Sequence, residues 1–347
     1  MPFDPTERSR VGRTAVTVTR LGFGGAPIGG LYSAVTDADA IATVRRAWEL
    51  GIRYFDTAPL YGYGASERRI GASLAGLPRE DFTISTKVGR LIRPSDALAD
   101  DADIDRQEFD GRENAFYVGT GPVRPVFDYS YEGVLRSVEE SLERLDLERV
   151  DIALIHDPDD HWEAAIGGAY PALERLRADG VVRAIGAGMN QSAMLARFAR
   201  EGDFDVFLLA GRYTLLDQSA LADVLPICEE KEISVVVGGV MNSGILADPR
   251  PGSRFDYAPA DTDVVERAGR LAAICARHGV PLRAAAVQFP LAHPAVVSVV
   301  AGVRRIEHLE EYPALMSELI PADLWEELRH EGLLAADAPV AASRNVE

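Results

Sequence analysis

Short apolar runs alternate with stretches of helical periodicity along most of this 347-residue chain. Runs of strand length lie at 21–25, 53–56, 82–87, 151–156, 183–188, 205–210, 233–238 and 296–301. Apolar residues recur at helical spacing over 37–50, 66–75, 131–145, 170–178, 192–201, 219–231, 264–278 and 306–317. A spacing of three to four residues marks one buried helix face, whereas a short unbroken apolar run marks a strand covered on both sides. Asp37 opens the first helix, Gly51 closes it, and Gly180 and Gly279 end two others, as capping chemistry favours. Repeated βα units predict a parallel sheet with helical crossovers. A doubly wound open sheet and a closed (β/α)8 TIM barrel both satisfy that pattern, and the count of eight favours the barrel. An open dinucleotide-binding sheet would carry GxGxxG after its first strand. Here Pro27 stands where the third glycine belongs after Gly22 and Gly24, and Gln191 stands there after Gly186 and Gly188. The weakly alternating run 13–19 fits half of an N-terminal β-hairpin across the barrel floor.

Two stretches break the rhythm. Residues 89–130 form a long insertion rich in Asp, Gly and Pro, with Phe109, Phe116, Tyr117, Phe127 and Tyr129. Residues 241–263 carry three prolines. Both follow strands, so both are expected on the C-terminal rim, and loops this long usually bind something. Residues 321–347 are expected as a tail with one helical turn around Trp325. The whole chain, 1–347, is expected to be a single barrel domain.

Composition narrows the function classes. The net charge of −18 repels nucleic acid and anionic membrane, and the acid is spread along the chain. No apolar run approaches the ~18 residues of a membrane span, and the first residues hold no apolar signal core. Cys228 and Cys275 make no CxxC pair, which fits a reducing cytoplasm. The expectation is a cytoplasmic monomer or small homo-oligomer acting on a small molecule.

Lysine use is more pointed. Of 36 basic residues only Lys87 and Lys231 are lysines, and a lysine, unlike an arginine, can be desolvated and retuned. Lys87 ends the third apolar run. The second ends in Asp56, with Tyr61 just after it, and the fourth ends in His156. In a (β/α)8 barrel these positions share the active-site rim. A carboxylate and an ammonium there would lower the phenol's pKa from ~10 toward working pH, making a proton donor and acceptor. Alone, Asp56 fits a helix N-cap, Tyr61 a packed aromatic and His156 a satisfied core histidine. Their order on adjacent strands argues for chemistry. His156, Asp157, Asp159, Asp160 and His161 also suggest a divalent-ion site, but the spacing matches no zinc pattern, and no metal is expected. A metal-dependent hydrolase or isomerase and a non-catalytic binding subunit remain open on these residues alone.

The run Gly51 to Gly62 (GIRYFDTAPLYG), followed by Ser66-Glu67 and Ile70-Gly71, then Thr86-Lys87-Val88 and Leu154-Ile155-His156, resembles the signature of the aldo-keto reductases over nearly the whole chain. The resemblance implies a metal-free oxidoreductase using NADP or NAD. Tyr61 would be its proton donor or acceptor, Lys87 and Asp56 would tune it, and His156 would orient the substrate oxygen. It also implies that Tyr213 stacks on the nicotinamide. Asn190 would hold the carboxamide, Asn242, Ser243 and Gly244 the pyrophosphate, and Gly302, Arg304, Arg305, His308 and Glu311 the adenosine phosphate. An arginine usual in that last segment is His308 and an adenine-binding asparagine is Tyr312, leaving NAD and NADP both open. The stretches 88–91, 127–130, 156–159, 188–191 and 209–218 are similar to the branch of sugar dehydrogenases acting on D-threo-aldoses such as L-fucose, which also holds a pyridoxal 4-dehydrogenase. The implied substrate is a sugar or other hemiacetal oxidised to a lactone, with Arg212 and Asp128 as candidate contacts.

Overall fold

The computed structural model describes residues 2–99, 102–106, 108–109, 112–113 and 116–341. Parts of the 89–130 insertion and the last six residues of the expected tail therefore lie outside the described residues. Eight strands close into a parallel barrel: β1 Leu21–Gly24, β2 Tyr54–Asp56, β3 Thr83–Val88, β4 Ile152–His156, β5 Ala184–Met189, β6 Val206–Ala210, β7 Ser234–Gly238 and β8 Val296–Gly302. Each pairs with its sequence neighbours, and β8 closes on β1.

Side-chain alternation separates two cores. Phe55, Ile84, Ala153, Ile185, Phe207 and Val235 point outward under the helices. Tyr54, Ile152, Leu154, Ala184, Val206, Leu208, Val236 and Val300 point inward. The strand pair Arg8–Arg10 and Thr17–Thr19 sends Val11, Val16 and Val18 into that inner core and stops the floor. Only the C-terminal mouth is left for a ligand, where barrels of this class place their chemistry.

The outer ring is α1 Asp37–Glu49, α2 Ala65–Leu74, α3 Tyr131–Leu145, α4 Tyr170–Ala178, α5 Ser192–Glu201, α6 Val224–Glu230, α7 Thr262–Arg277, α8 Leu282–Gln288, α9 Ile306–Ser317 and α10 Ala322–His330. Several ends differ from the sequence reading. Thr36, not Asp37, caps α1, its hydroxyl accepting from the Asp39 amide at 3.1 Å. A helical turn from Trp162 and a π-helical stretch at Ala165–Ala169 lead into α4. Asp223 takes the Val224 amide and starts α6 late. Helix α8 escaped notice because Ala284 to Gln288 are all buried, leaving no polar face to give a period. The tail's single turn is a nine-residue helix held by buried Leu324, Trp325 and Leu328.

Both rhythm-breaking stretches fold over the mouth. Arg90–Pro94 pairs antiparallel with Val123–Phe127, and Tyr117 bridges to Leu31. Beyond β7, a 3-10 turn at Asn242–Gly244 precedes a hairpin of Arg254–Phe255 and Ala258–Pro259. The Phe116 and Tyr257 rings meet edge-on at 5.9 Å above the barrel.

Candidate active site

Register brings the chemistry together. Asp56 lies level with Ser85, and Lys87 lies level with Leu154. Residues two apart share a face, so Asp56, Lys87 and His156 all point inward at the rim. The Lys87 ammonium, 1% exposed, donates to both Asp56 oxygens at 2.9 and 2.8 Å and to the Thr57 carbonyl at 2.9 Å. Its three N–H bonds are thus all committed. Asp56 also accepts from the Ser85 hydroxyl at 2.7 Å, which meets the Tyr54 hydroxyl at 3.0 Å. The other lysine, Lys231, caps the end of α5 by donating to the Ala199 carbonyl at 2.6 Å.

Tyr61 is aimed by a tight turn. Gly62 has φ +64°, and any side chain there would run into the Gly29 carbonyl, so a glycine is needed on both counts. The Lys87 ammonium lies 4.6 Å from the centre of the Tyr61 ring, and the His156 ring stands edge-on to it at 5.7 Å. Burial pushes the Tyr61 phenol well above its ordinary value, and the Asp56 charge pushes it further. The expectation of a phenol lowered toward neutrality is corrected here. Asp56 neutralises the ammonium at close range, and no Lys87 proton is left for the phenol oxygen. The Tyr61 phenol is held in its neutral form in this pocket. His156 is held well below its ordinary value by burial, with Arg90 and Lys87 adding to the effect, so it is a neutral imidazole.

Tyr61, Lys87 and His156 line one cavity of about 160 Å³, walled by Leu31, Phe116, Tyr117, Leu208 and Tyr257, with Asp157 and Asn190 as further polar members. The sequence alone gives Arg90 no role, and gives Asp157 only a place in a candidate divalent-ion cluster. The Arg90 guanidinium is 5% exposed, donates to Asp105 at 2.6 Å and to the His156 carbonyl at 2.5 Å, and stacks on Phe127 at 4.6 Å. The arginine directly after Gly89 was the available signal, but only the folded arm brings it under β4.

The other assigned residues divide. Asn190 lines the cavity. Asn242 is buried, donates to the Gly211 carbonyl at 3.3 Å and leaves its own carbonyl oxygen without a partner. Ser243 accepts from the Tyr257 amide at 3.1 Å, and a side chain at Gly244 would meet open space. At the other edge Gly302 is exposed, and Arg305 precedes α9 without a side-chain cap. The free amides of that helix start, with Arg304, Arg305 and His308 around it, suit a phosphate. Arg304 rests against the Ser33 hydroxyl, and Glu311 is paired with Arg283. The orphaned Asn242 carbonyl, the open ground at Gly244 and the bare α9 terminus fit a dinucleotide. Tyr213 does not. It is wholly buried between Phe289 and His293 and does not line the cavity, and a ring with no exposed face cannot stack on a cofactor. Arg212 is paired with Asp217 and Asp256, and Asp128 accepts from the Ser130 amide and hydroxyl ahead of α3. His161 turns away to Asp103, and no metal-holding cluster occurs among the described residues.

The model of the aldo/keto reductase family matches residues 20–330. A D-threo-aldose 1-dehydrogenase of a Pseudomonas species is 43% identical over 322 residues, covering 92% of this chain and 95% of the relative. The pyridoxal 4-dehydrogenase of Microbacterium luteolum is 42% identical over 346 residues, covering 96% and 100%. The L-galactose dehydrogenase of Arabidopsis thaliana is 31% identical, covering 90% and 89%. Among solved structures, the holo form of aldo-keto reductase AKR11C1 from Bacillus halodurans superposes with TM-score 0.71 at 24% identity, covering 97% and 99%. That likeness concerns the fold.

Proposed function

This chain belongs to the aldo/keto reductase family and is an NAD(P)-dependent oxidoreductase, and we propose that it oxidises C1 of an aldose of the D-threo or L-fucose type to the lactone. The observation that carries the reading is one cavity holding Tyr61, Lys87 and His156, with Asp56 behind them, in a chain so similar to a D-threo-aldose 1-dehydrogenase. NAD(P), held by Asn190, Asn242, Ser243, Gly244 and the start of α9, would supply the hydride acceptor or donor. The chain's own groups do the rest. The neutral His156 imidazole orients the reacting oxygen, and Tyr61 exchanges that oxygen's proton. The Lys87–Asp56 pair holds an ammonium under the phenol ring without letting it wander. Phe116, Tyr117 and Tyr257 close the mouth and keep water from the reacting carbon. Oxidation at C1 would pass the hydride to the bound cofactor, and the hydroxyl proton would go to the ionised form of Tyr61, the base that the neutral phenol yields as pH rises.

A second reading has its own support. The rings of Tyr61, Phe116, Tyr117 and Tyr257 line part of the cavity, which suits a flat pyridine ring, and a pyridoxal 4-dehydrogenase is a near relative. A panel of L-fucose, other aldoses and pyridoxal, each with NAD and with NADP and read at 340 nm, tests both. Turnover of an aldose at kcat/KM above pyridoxal supports the first, and the reverse order supports the second. Activity only on simple aldehydes in the reductive direction refutes both.

A further inference from the structure

Asp157 stands in the cavity, and the proton transfer just described leaves it idle. It lines the same space as Tyr61, Lys87 and His156, and its Oδ2 lies 3.5 Å from His156 Nε2. Its backbone is unusual: φ is +38°, in a region that side-chain-bearing residues rarely adopt. Such a conformation persists only where its surroundings over-determine it, and they do. The Tyr129 hydroxyl meets the His156 carbonyl at 2.6 Å and the Asp157 carbonyl at 2.9 Å. Arg90 donates to the same His156 carbonyl. The Asp157 amide donates across to the Gly188 carbonyl at 3.0 Å. Tyr129 and Arg90 belong to the arm around 89–130, so the arm and the barrel together fix one turn. That turn sets a carboxylate beside the imidazole that orients the substrate oxygen.

The carboxylate's partners leave room for a ligand. It accepts from the Asn190 amide, and no arginine or lysine makes an ion pair with it among the described residues. An ionised carboxylate has about four acceptor positions and donates nothing. The spacing between His156 Nε2 and the carboxylate matches two oxygens on neighbouring carbons: one oxygen on the imidazole, the next on Asp157.

We propose that Asp157 is a specificity-determining residue whose carboxylate binds the hydroxyl on the carbon next to the reacting one, so that the site selects vicinally hydroxylated hemiacetals. The inference rests on the aldose reading above and deepens it. Burial, with Asp159 adding to it against Arg90 and Lys87, pushes the acid up to about 6. Near neutrality the group is therefore mostly the acceptor this role needs.

The test compares an aldose with its 2-deoxy counterpart in wild type, Asp157→Asn and Asp157→Ala, reading kcat/KM for each. Taking the ratio within one enzyme cancels any loss of folded protein. Wild type should prefer the 2-hydroxylated sugar, and both variants should lose that preference by about 10- to 150-fold, the usual worth of a hydrogen bond to a charged group. An unchanged ratio in both variants, with aldose oxidation intact in wild type, overturns the role of Asp157 alone. Wild type inactive on every aldose overturns the aldose reading and this inference together.

Discussion

Asp56→Asn is the sharpest probe of the site's electrostatics. It preserves shape but removes the charge that answers a buried ammonium. Lys87 and Asp56 are 1% and 4% exposed and joined by two bonds under 3 Å. Removing one partner of such a pair destabilises by about 3–5 kcal/mol, because the survivor keeps its desolvation penalty. Urea unfolding at pH 7, followed by circular dichroism, should show that deficit in Asp56→Asn and a similar one in Lys87→Met. The double variant has no stranded charge, so it should be more stable than either single variant by about 2 kcal/mol or more. Losses that simply add, or an Asp56→Asn deficit below about 1 kcal/mol, would refute the buried-pair account.

Other expectations follow from the same geometry. Tyr61→Phe should lower turnover by about 10²–10⁴-fold while NAD(P) affinity, measured by fluorescence titration, stays near wild type; the opposite pattern would remove Tyr61 from proton transfer. Because the Tyr61 phenol is raised, its base form is scarce at pH 7 and grows tenfold per pH unit. Oxidation should therefore accelerate with rising pH and reduction should not, and a flat oxidation profile from pH 6 to 10 would contradict this. Gly62→Ala forces a side chain into the Gly29 carbonyl at positive φ and should destabilise by more than the ~0.4–1 kcal/mol that such a change gains at a compatible position, visible as a lowered urea midpoint. Asp157, raised to about 6, binds its proton more tightly folded than unfolded. Its contribution is present below the ordinary carboxylate range and lost as pH rises through about 6. The stability of wild type relative to Asp157→Asn should thus fall between pH 4 and 7, and a constant difference would argue against a buried acid. Activity should survive EDTA.

The sequence alone determined the architecture and the four central groups, because both are written in local terms. Eight apolar runs spaced by helical stretches specify βα units whatever lies between them. Asp56, Lys87 and His156 sit at run ends, where period-two alternation already assigns a face. What surrounds those groups was decided only by tertiary structure. Tyr213 looked like a cofactor platform by its neighbours in sequence, yet it is sealed between Phe289 and His293, because burial depends on packing from segments some 75 positions away. The protonation of Tyr61 likewise needed the geometry. The same three residue types would lower or raise the phenol according to which partner the ammonium bonds, and here it bonds Asp56 and the Thr57 carbonyl. Arg90 and Asp157 lie in stretches that carry the family resemblance, but nothing local to them says what either side chain meets. Their roles arise only when the arm folds back beneath β4 and fixes a strained turn there. Local periodicity sets the frame, but solvation, charge pairing and turn strain depend on contacts between residues far apart in the chain.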